Sequence, residues 1–176
     1  MPITLKRTIW PVGHGAFYTE QWKDSTQNFY NVVYDCGAGN NTHCGKNSAL
    51  AKCINTAFGK NEKINALYIS HLHHDHINGV MKLIANRTID AIYLPQLTLN
   101  RIVETILFER IHSVSNATFD RRVAFLRSAL SGHIRETRVI EVVEGGNVNE
   151  EQPMERSREM YERSNEYDNI VVNIDR

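Results

Sequence analysis

The stretch "YISHLHHDHINGV", residues 68–80, carries four histidines and one aspartate within six consecutive positions. It begins in an apolar segment, residues 64–70, that has the composition of a buried β-strand, and a short helix is predicted for residues 78–85. Open α/β sheets bind their ligands at the carboxyl ends of strands, which is where this stretch would lie. The sequence therefore predicts a functional site between this strand and this helix.

The spacing of the histidines favours a metal site. Side chains alternate along an extended chain, so His71 and His73 would point to the same side and reach one cation. Asp75 and His76 follow on the turn and could face a second cation about 3.5 to 4 Å away, as in two-metal hydrolytic sites. His74 is expected to point away from the metals. The alternative is a polar loop whose histidines cluster by chance, but imidazoles and a carboxylate at this spacing favour zinc, or manganese or iron.

Composition limits the class of protein. The chain has 176 residues, of which 41% are hydrophobic, and this length predicts a single domain over residues 1–176. Twenty basic and twenty acidic residues balance, so no chain-wide field attracts polyanions, and a nucleic acid would have to be bound locally. No signal peptide or membrane-spanning run is found, which leads us to expect a cytoplasmic chain without a membrane partner.

The cysteines predict neither a disulfide framework nor a thiolate zinc site. There are three of them, Cys36, Cys44 and Cys53, which is an odd number, and no pair has CxxC spacing. We therefore expect free thiols.

The remaining segments predict an α/β fold. Further strands are predicted for residues 4–12, 16–20, 29–35, 89–95, 137–143 and 169–174. The first three would form a β-meander, with Gly13 and Gly15 in its first turn. The later order of strand, helix and strand implies parallel pairing through right-handed crossovers.

One helix is predicted over residues 47–59, with Asn47 or Ser48 as its N-cap and Gly59 as its stop signal. Two more, over residues 99–114 and 119–130, carry apolar stripes that are expected to cover a sheet. The stripes consist of Ile102, Val103, Ile106, Leu107 and Ile111 in one helix and Val123, Leu126 and Leu130 in the other. The acidic segment from Glu144 to Asp168, between the last two predicted strands, is predicted to be a long loop or a weakly formed helix.

The histidine motif resembles a known signature. Residues 71–76 match the HxHxDH sequence of the metallo-β-lactamase superfamily, and Ser70 and Gly79 extend the match to (S/T)HxHxDHxxG. The segment "PVGHGAFYTE", residues 11–20, resembles the VGxG hairpin of such domains, and "VVYDCGAG", residues 32–39, resembles their strand ending in Asp-x-Gly. The resemblance implies a metallo-β-lactamase-like αβ/βα sandwich, of which this chain is expected to hold mainly the N-terminal part.

The same resemblance implies roles for the site residues. His71 and His73 would hold a first metal ion, and Asp75 and His76 a second one. Asp75 is also the candidate catalytic residue, because a carboxylate beside the activated water can orient it or accept its proton. Asp35 would support the metal-binding loop from below without binding metal, as partners of ligand histidines do. The alternative for Asp35 is a simple turn residue at a strand end.

Within the superfamily, the glycine-rich hairpin, the following "DCGAG", residues 35–39, and the late "NEYDNIVVNI", residues 165–174, most resemble the hydrolase domain of the competence (DNA-uptake) membrane protein and its soluble relatives. Those relatives are linked to phosphodiester or nuclease chemistry, which makes a phosphodiester or a nucleic acid the expected substrate. Where their hairpin reads VGQGD, this chain has His14 and Ala16. We interpret His14 as a loop histidine in preference to a ligand.

The second half of the expected ligand set is not found in the sequence. Relatives supply a third histidine, a bridging aspartate and a last histidine, whereas here His112 lies in a helix and is interpreted as structural. His133 is the one late histidine predicted to lie on a loop, and it is the candidate replacement for the third ligand. We therefore expect a domain that is incomplete at its C-terminus, with an uncovered sheet face. Such a chain would need the rest of its polypeptide, a partner protein or self-association.

These observations predict a metal-dependent hydrolase that uses a metal-activated water, with one or two zinc ions and a phosphodiesterase-like or nuclease-like activity. One alternative is a non-catalytic or partly degenerate subunit of a larger assembly. Another is a hydrolase of the lactamase, thioesterase or glyoxalase type, because substrate choice on one fold depends on loops that one sequence does not reveal.

Overall fold

A computed structural model of the chain describes residues 4–39, 48–96, 98–113, 115–130, 134, 137–144 and 169–174. Its centre is one sheet of seven strands that lie side by side in sequence order. The strands are β1 Leu5–Ile9, β2 Phe17–Lys23, β3 Phe29–Cys36, β4 Lys63–Tyr68, β5 Thr88–Pro95, β6 Arg138–Glu144 and β7 Asn169–Ile174. All the predicted strands are present, and their bounds differ by up to three residues from those predicted.

The sheet is antiparallel on one side and parallel on the other. Strands β1, β2 and β3 pair antiparallel, as the meander predicted, because short turns join them. From β3 to β7 every pair is parallel, and helices lie in the connections from β3 to β6, as parallel strands require. The α/β class is therefore confirmed, and the sheet is mixed, as a meander followed by parallel strands predicts.

Five helices are described: α1 Ala49–Ala57, α2 His74–Ile77, α3 Val80–Ala85, α4 Leu99–His112 and α5 Asn116–Leu130. Ser48 caps α1, because its side chain accepts a hydrogen bond from the Ala51 amide at 3.1 Å. The prediction of one helix over residues 78–85 was wrong at its start. Helix α2 already begins at His74, so Asp75 lies on a helical turn, and Gly79 separates α2 from α3.

The hydrophobic core lies against the middle strands. Val33, Leu67 and Ile92 occupy matching positions on β3, β4 and β5 and are fully buried. Helix α5 contributes Val123 and Leu126 to the buried set, which confirms that its stripe packs inward at these two positions. Burial of large aliphatic side chains stabilises the fold by about 1.5 to 3 kcal/mol for each one.

Helix α4 has the opposite orientation to the one predicted. Its apolar stripe faces outward, with Leu107 57% and Ile111 77% exposed, and Val103 and Ile106 are also exposed. The buried positions are Thr105 and Glu109, which are polar. The prediction that this stripe covers the sheet was wrong, because α4 packs through Glu109 against the loop that carries the histidines and leaves its apolar stripe in solvent.

A row of tyrosines crosses one face of the sheet. Tyr18, Tyr34, Tyr68 and Tyr93 lie at matching positions on four adjacent strands, and neighbouring rings are 4.5 to 5.4 Å apart between centroids. Tyr34 is 39% exposed and Tyr68 is 37% exposed, so the middle of this row is open to solvent. A phenol combines an apolar ring with a polar tip, which suits a half-covered face.

Two further predictions concern thiols and membranes. Cys36 and Cys53 are buried and form no disulfide within the described residues, and Cys44 lies outside them. In the described parts of the chain, no helix is both long and apolar enough to cross a membrane. The acidic segment 145–168 lies outside the description.

Candidate metal centre

The histidine motif lies at the carboxyl end of β4. The metal loop, which we define as residues 70–78, leaves that strand, includes α2 and ends just before α3. One ligand atom each of His71, Asp75 and His76 lies within 4.8 Å of the other two. Three of the four predicted ligands are thus brought together at the sheet edge where parallel strands usually bind ligands.

His73, the fourth predicted ligand, lies beside this group but does not belong to it. Its ring centroid is 4.8 Å from that of His71, with the two rings edge to face. Its other neighbour is Phe108 of α4, whose ring is stacked on the imidazole at 4.9 Å with an interplanar angle of 12°. The imidazole therefore lies between the cluster and α4, and Phe108 forms a wall of the site.

Asp35 supports the cluster from the end of β3. This buried carboxylate accepts hydrogen bonds from the Ser70 amide at 2.8 Å, from the Ser70 hydroxyl at 2.6 Å and from His76 Nδ1 at 2.8 Å. Its backbone φ of 53° is left-handed, a region that aspartate adopts more readily than most residues. Both oxygens are thereby turned toward the metal loop, in the geometry expected of a supporting residue.

The contact with Asp35 determines which nitrogen of His76 carries a proton. Because a carboxylate can only accept, His76 must donate from Nδ1. The Nε2 atom of the neutral ring then holds the lone pair, and it lies 3.7 Å from Asp75 Oδ2. A carboxylate that orients a ligand histidine in this way is common around protein-bound metals.

The same logic applies to His71 through Ser70. The Ser70 hydroxyl has one proton and donates it to Asp35, so it accepts from His71 Nδ1 at 2.9 Å. The His71 lone pair is then on Nε2. Burial lowers the pKa of His71, and the neighbouring His76 and His73 add to this effect. The neutral ring, which is the form that binds metal, is thereby favoured.

His74 faces away from the cluster, toward α4, as the alternation of side chains predicted. Its Nδ1 lies 3.4 Å from Glu109 Oε1, and its backbone amide donates to the same oxygen at 3.3 Å. Glu109 is only 1% exposed, so α4 holds the start of α2 with a buried carboxylate. The sequence contained no signal for this contact, since Glu109 looks like a residue of a solvated helix face.

Close backbone packing holds the metal loop to the end of β3. The Gly79 amide donates to the Cys36 carbonyl at 2.8 Å, and a Cβ on Gly79 would lie 2.8 Å from that oxygen. The Asn78 side chain accepts from the Ala38 amide at 3.1 Å and donates to its carbonyl at 2.7 Å. Gly79 of the sequence motif is therefore required, because the backbone of Cys36 approaches it too closely for a side chain.

The histidines outside the motif differ in their relation to the cluster. His14, interpreted as a loop histidine, lies in the turn between β1 and β2, and its Nε2 is 3.3 Å from Asp75 Oδ2. His112 is exposed on α4, where its ring contacts that of Phe108. His133, the candidate third ligand, lies outside the described residues.

The donor set fits zinc or a similar transition metal. Imidazole nitrogens and a carboxylate oxygen are zinc ligands, with bonds of about 2.0 to 2.2 Å that place tetrahedral donors about 3.3 to 3.6 Å apart. The 3.7 Å between His76 Nε2 and Asp75 Oδ2 is close to this spacing. Three protein donors would leave a coordination position for substrate or water, as catalytic zinc sites do.

Comparisons of the chain with protein-family models, with curated proteins and with solved structures found no match.

Proposed function

We propose that the chain is a metal-dependent hydrolase that binds one or two zinc ions, or manganese or iron, through His71, His73, Asp75 and His76. The observation that carries the proposal is the cluster of His71, Asp75 and His76 within 4.8 Å. It is supported by the contacts of Asp35 and Ser70, which leave Nε2 of His71 and Nε2 of His76 available to bind a metal ion. The HxHxDH motif at the end of β4 favours a metallo-β-lactamase-like sandwich as the finer fold.

The protein residues divide the chemical work. When bound, the metal supplies Lewis-acid chemistry that lowers the pKa of water toward about 7, so that a nucleophile forms near neutral pH. Asp75 contributes a carboxylate that holds the cation and can orient the nucleophile or accept its proton. Asp35 and Ser70 keep the imidazoles oriented, and Phe108 closes one side of the site.

A phosphodiester is the substrate class that we favour, in a small molecule or in a nucleic acid. The support is the resemblance of three segments to the competence-protein branch: the hairpin, residues 11–20, "DCGAG", residues 35–39, and "NEYDNIVVNI", residues 165–174. The zero formal charge argues against a chain-wide electrostatic attraction for nucleic acid. Substrate phosphate would then be recognised through the metal and the loops around it.

The test is a panel of chromogenic substrates with the zinc-, manganese- or iron-loaded chain. We expect cleavage of bis(p-nitrophenyl) phosphate and little cleavage of nitrocefin, a thioester or S-lactoylglutathione. His71→Ala and His76→Ala should abolish the activity, whereas His112→Ala, a histidine exposed on α4, should retain it. A folded, metal-loaded chain that cleaves none of the four would overturn the hydrolase proposal. Preferential cleavage of nitrocefin, the thioester or S-lactoylglutathione would show that the substrate is not a phosphodiester.

A second candidate function is that of a non-catalytic subunit that keeps its metal for structure. The observation that favours it is the exposed apolar stripe of α4, with Leu107 and Ile111 more than half exposed. Contiguous exposed apolar side chains are typical of surfaces that another protein covers. Metal binding without hydrolysis, together with a partner or self-association that buries this stripe, would support the subunit over the enzyme.

A further inference from the structure

His14 is directed at the metal loop from a part of the chain that the motif does not include. The turn between β1 and β2 places its Nε2 3.3 Å from Asp75 Oδ2. The His14 side chain is 76% exposed, whereas that of Asp75 is 16% exposed. The ring therefore lies at the rim of the site and is reachable from solvent.

Backbone hydrogen bonds hold this turn in place. The Ala16 amide donates to the Asp75 carbonyl at 3.3 Å, and the Gly37 amide donates to the Ala16 carbonyl at 2.9 Å. The Gly39 amide donates to the carbonyl of His14 itself. Three segments of the chain are thus joined around Asp75, and His14 is carried on one of them.

Gly15 explains how the turn can come so close. Its φ is +119°, and a Cβ there would lie 2.5 Å from the Asp75 carbonyl oxygen. Only glycine adopts this conformation freely and leaves room for that oxygen. The position next to His14 is therefore shaped to fit against the metal loop.

The distance between His14 and Asp75 is that of two ligands of one cation. Zinc bonds of about 2.0 to 2.2 Å separate tetrahedral donors by about 3.3 to 3.6 Å, and the observed separation is 3.3 Å. Among the described residues, the compact group of possible ligands contains His71, Asp75 and His76 but not His14. A cation shared by His14 and Asp75 would therefore occupy a second position, with the Asp75 carboxylate between the two.

We propose that His14 is a metal ligand that holds a second cation together with Asp75. The inference rests on the proposed function, since it extends the same metal centre. With two protein donors, the second position would be the weaker one and would keep sites open for substrate oxygens. Without metal, the two side chains are close enough to form an ion pair.

The test is a zinc titration of the full chain after chelator treatment, read by calorimetry and repeated with Co²⁺, whose visible absorption reports the ligands. We expect two equivalents for the wild type. His14→Ala and the similar-sized His14→Gln should lose the weaker equivalent and keep the tighter one. His14→Cys, which restores a ligand atom, should recover the second equivalent with a changed cobalt spectrum. His74→Ala is the matched control and should keep both.

A direct readout on the wild type is the ¹⁵N shift of the His14 ring, which should move when the second equivalent of zinc is added. A wild type that binds two ions, with His14→Ala binding identically and the ring shift unmoved, overturns the role of His14 and leaves the metal centre intact. A wild type that binds only one ion likewise overturns the role of His14. A wild type that binds no metal overturns the metal centre itself. Because His14 is exposed, these variants should fold, and circular dichroism verifies this.

Discussion

Asp35 Oδ2 and His76 Nδ1 lie 2.8 Å apart, although the two residues are separated by 41 positions in the chain. The same oxygen accepts the Ser70 hydroxyl, which in turn contacts His71. The buried Asp35 carboxylate therefore orients the imidazole of His76 directly and that of His71 through Ser70. The orientation of these two rings thus depends on a strand that precedes the loop by more than thirty residues.

Asp35→Asn should weaken zinc binding by about 10- to 100-fold, which is the usual effect of removing a partner of a ligand histidine. The amide keeps the shape but loses the negative charge that draws the proton to His76 Nδ1. Competition with a zinc chelator measures the affinity. Asp90→Asn is the control. The Asp90 carboxylate on β5 pairs at 2.8 Å with the exposed Lys63, which lies at the start of β4, away from the cluster. Equal affinity for Asp35→Asn and wild type would contradict the supporting role.

Zinc or a similar metal should co-purify with the chain, because Nε2 of His71, Nε2 of His76 and the Asp75 carboxylate form a ready donor set. His71→Ala and His76→Ala should each lower the metal content measured by elemental analysis after gel filtration. His74→Ala should not, because its ring contacts Glu109. A folded protein that remains metal-free after zinc addition would contradict this prediction.

Glu109→Ala should destabilise the metal-free protein by about 1 to 3 kcal/mol, the range for a buried hydrogen-bonding group that loses its partner. The His74 amide and ring would be left facing a small cavity. Urea unfolding measures the change. Glu104→Ala, on the exposed side of the same helix, should stay within about 0.5 kcal/mol of wild type. Similar losses for the two variants would show that α4 does not hold the metal loop through Glu109.

Gly79→Ala should destabilise the chain by about 1 to 3 kcal/mol, the range for overpacking, because its Cβ would meet the Cys36 carbonyl. Gly59→Ala is the matched control, since the nearest atom there is the flexible Glu62 carboxylate at 3.5 Å. That change should be neutral, or stabilise by about 0.4 to 1 kcal/mol through the unfolded state. Thermal unfolding measures the stability of both variants. Equal changes in melting temperature for Gly79→Ala and Gly59→Ala would contradict the prediction.

The exposed stripe of α4 should make the chain associate or bind a hydrophobic-surface dye. Leu107→Lys together with Ile111→Lys should reduce both effects without lowering the melting temperature, because neither side chain is buried. Asn100→Lys, an exposed polar position on α4, controls for added charge. Light scattering after size-exclusion chromatography measures the mass. A wild type that is monomeric and binds no dye would show that the stripe needs no cover.

Much of the fold could be predicted because its signals are local. The strand predicted for residues 169–174 agrees with Asn169–Ile174, and the N-cap of α1 at Ser48 was one of the two proposed. A composition rich in β-formers or a capping residue acts on its immediate neighbours, so neither needs the rest of the chain to be recognised. The start of α2 at His74 was missed, since histidine and aspartate are weak helix formers and the turn is stabilised by contacts from outside it.

The sequence by itself determined the order of the strands, the α/β class and the cluster of histidines at the end of a strand. The contact of Asp35 with that cluster was expected from the family resemblance. Only the tertiary structure decided that His14 approaches the cluster and that α4 turns Glu109 inward and Leu107 outward. Periodicity shows that a helix has an apolar side but not what that side meets. Contacts between residues tens of positions apart depend on how sheet, turns and helices pack together, and no local pattern encodes them.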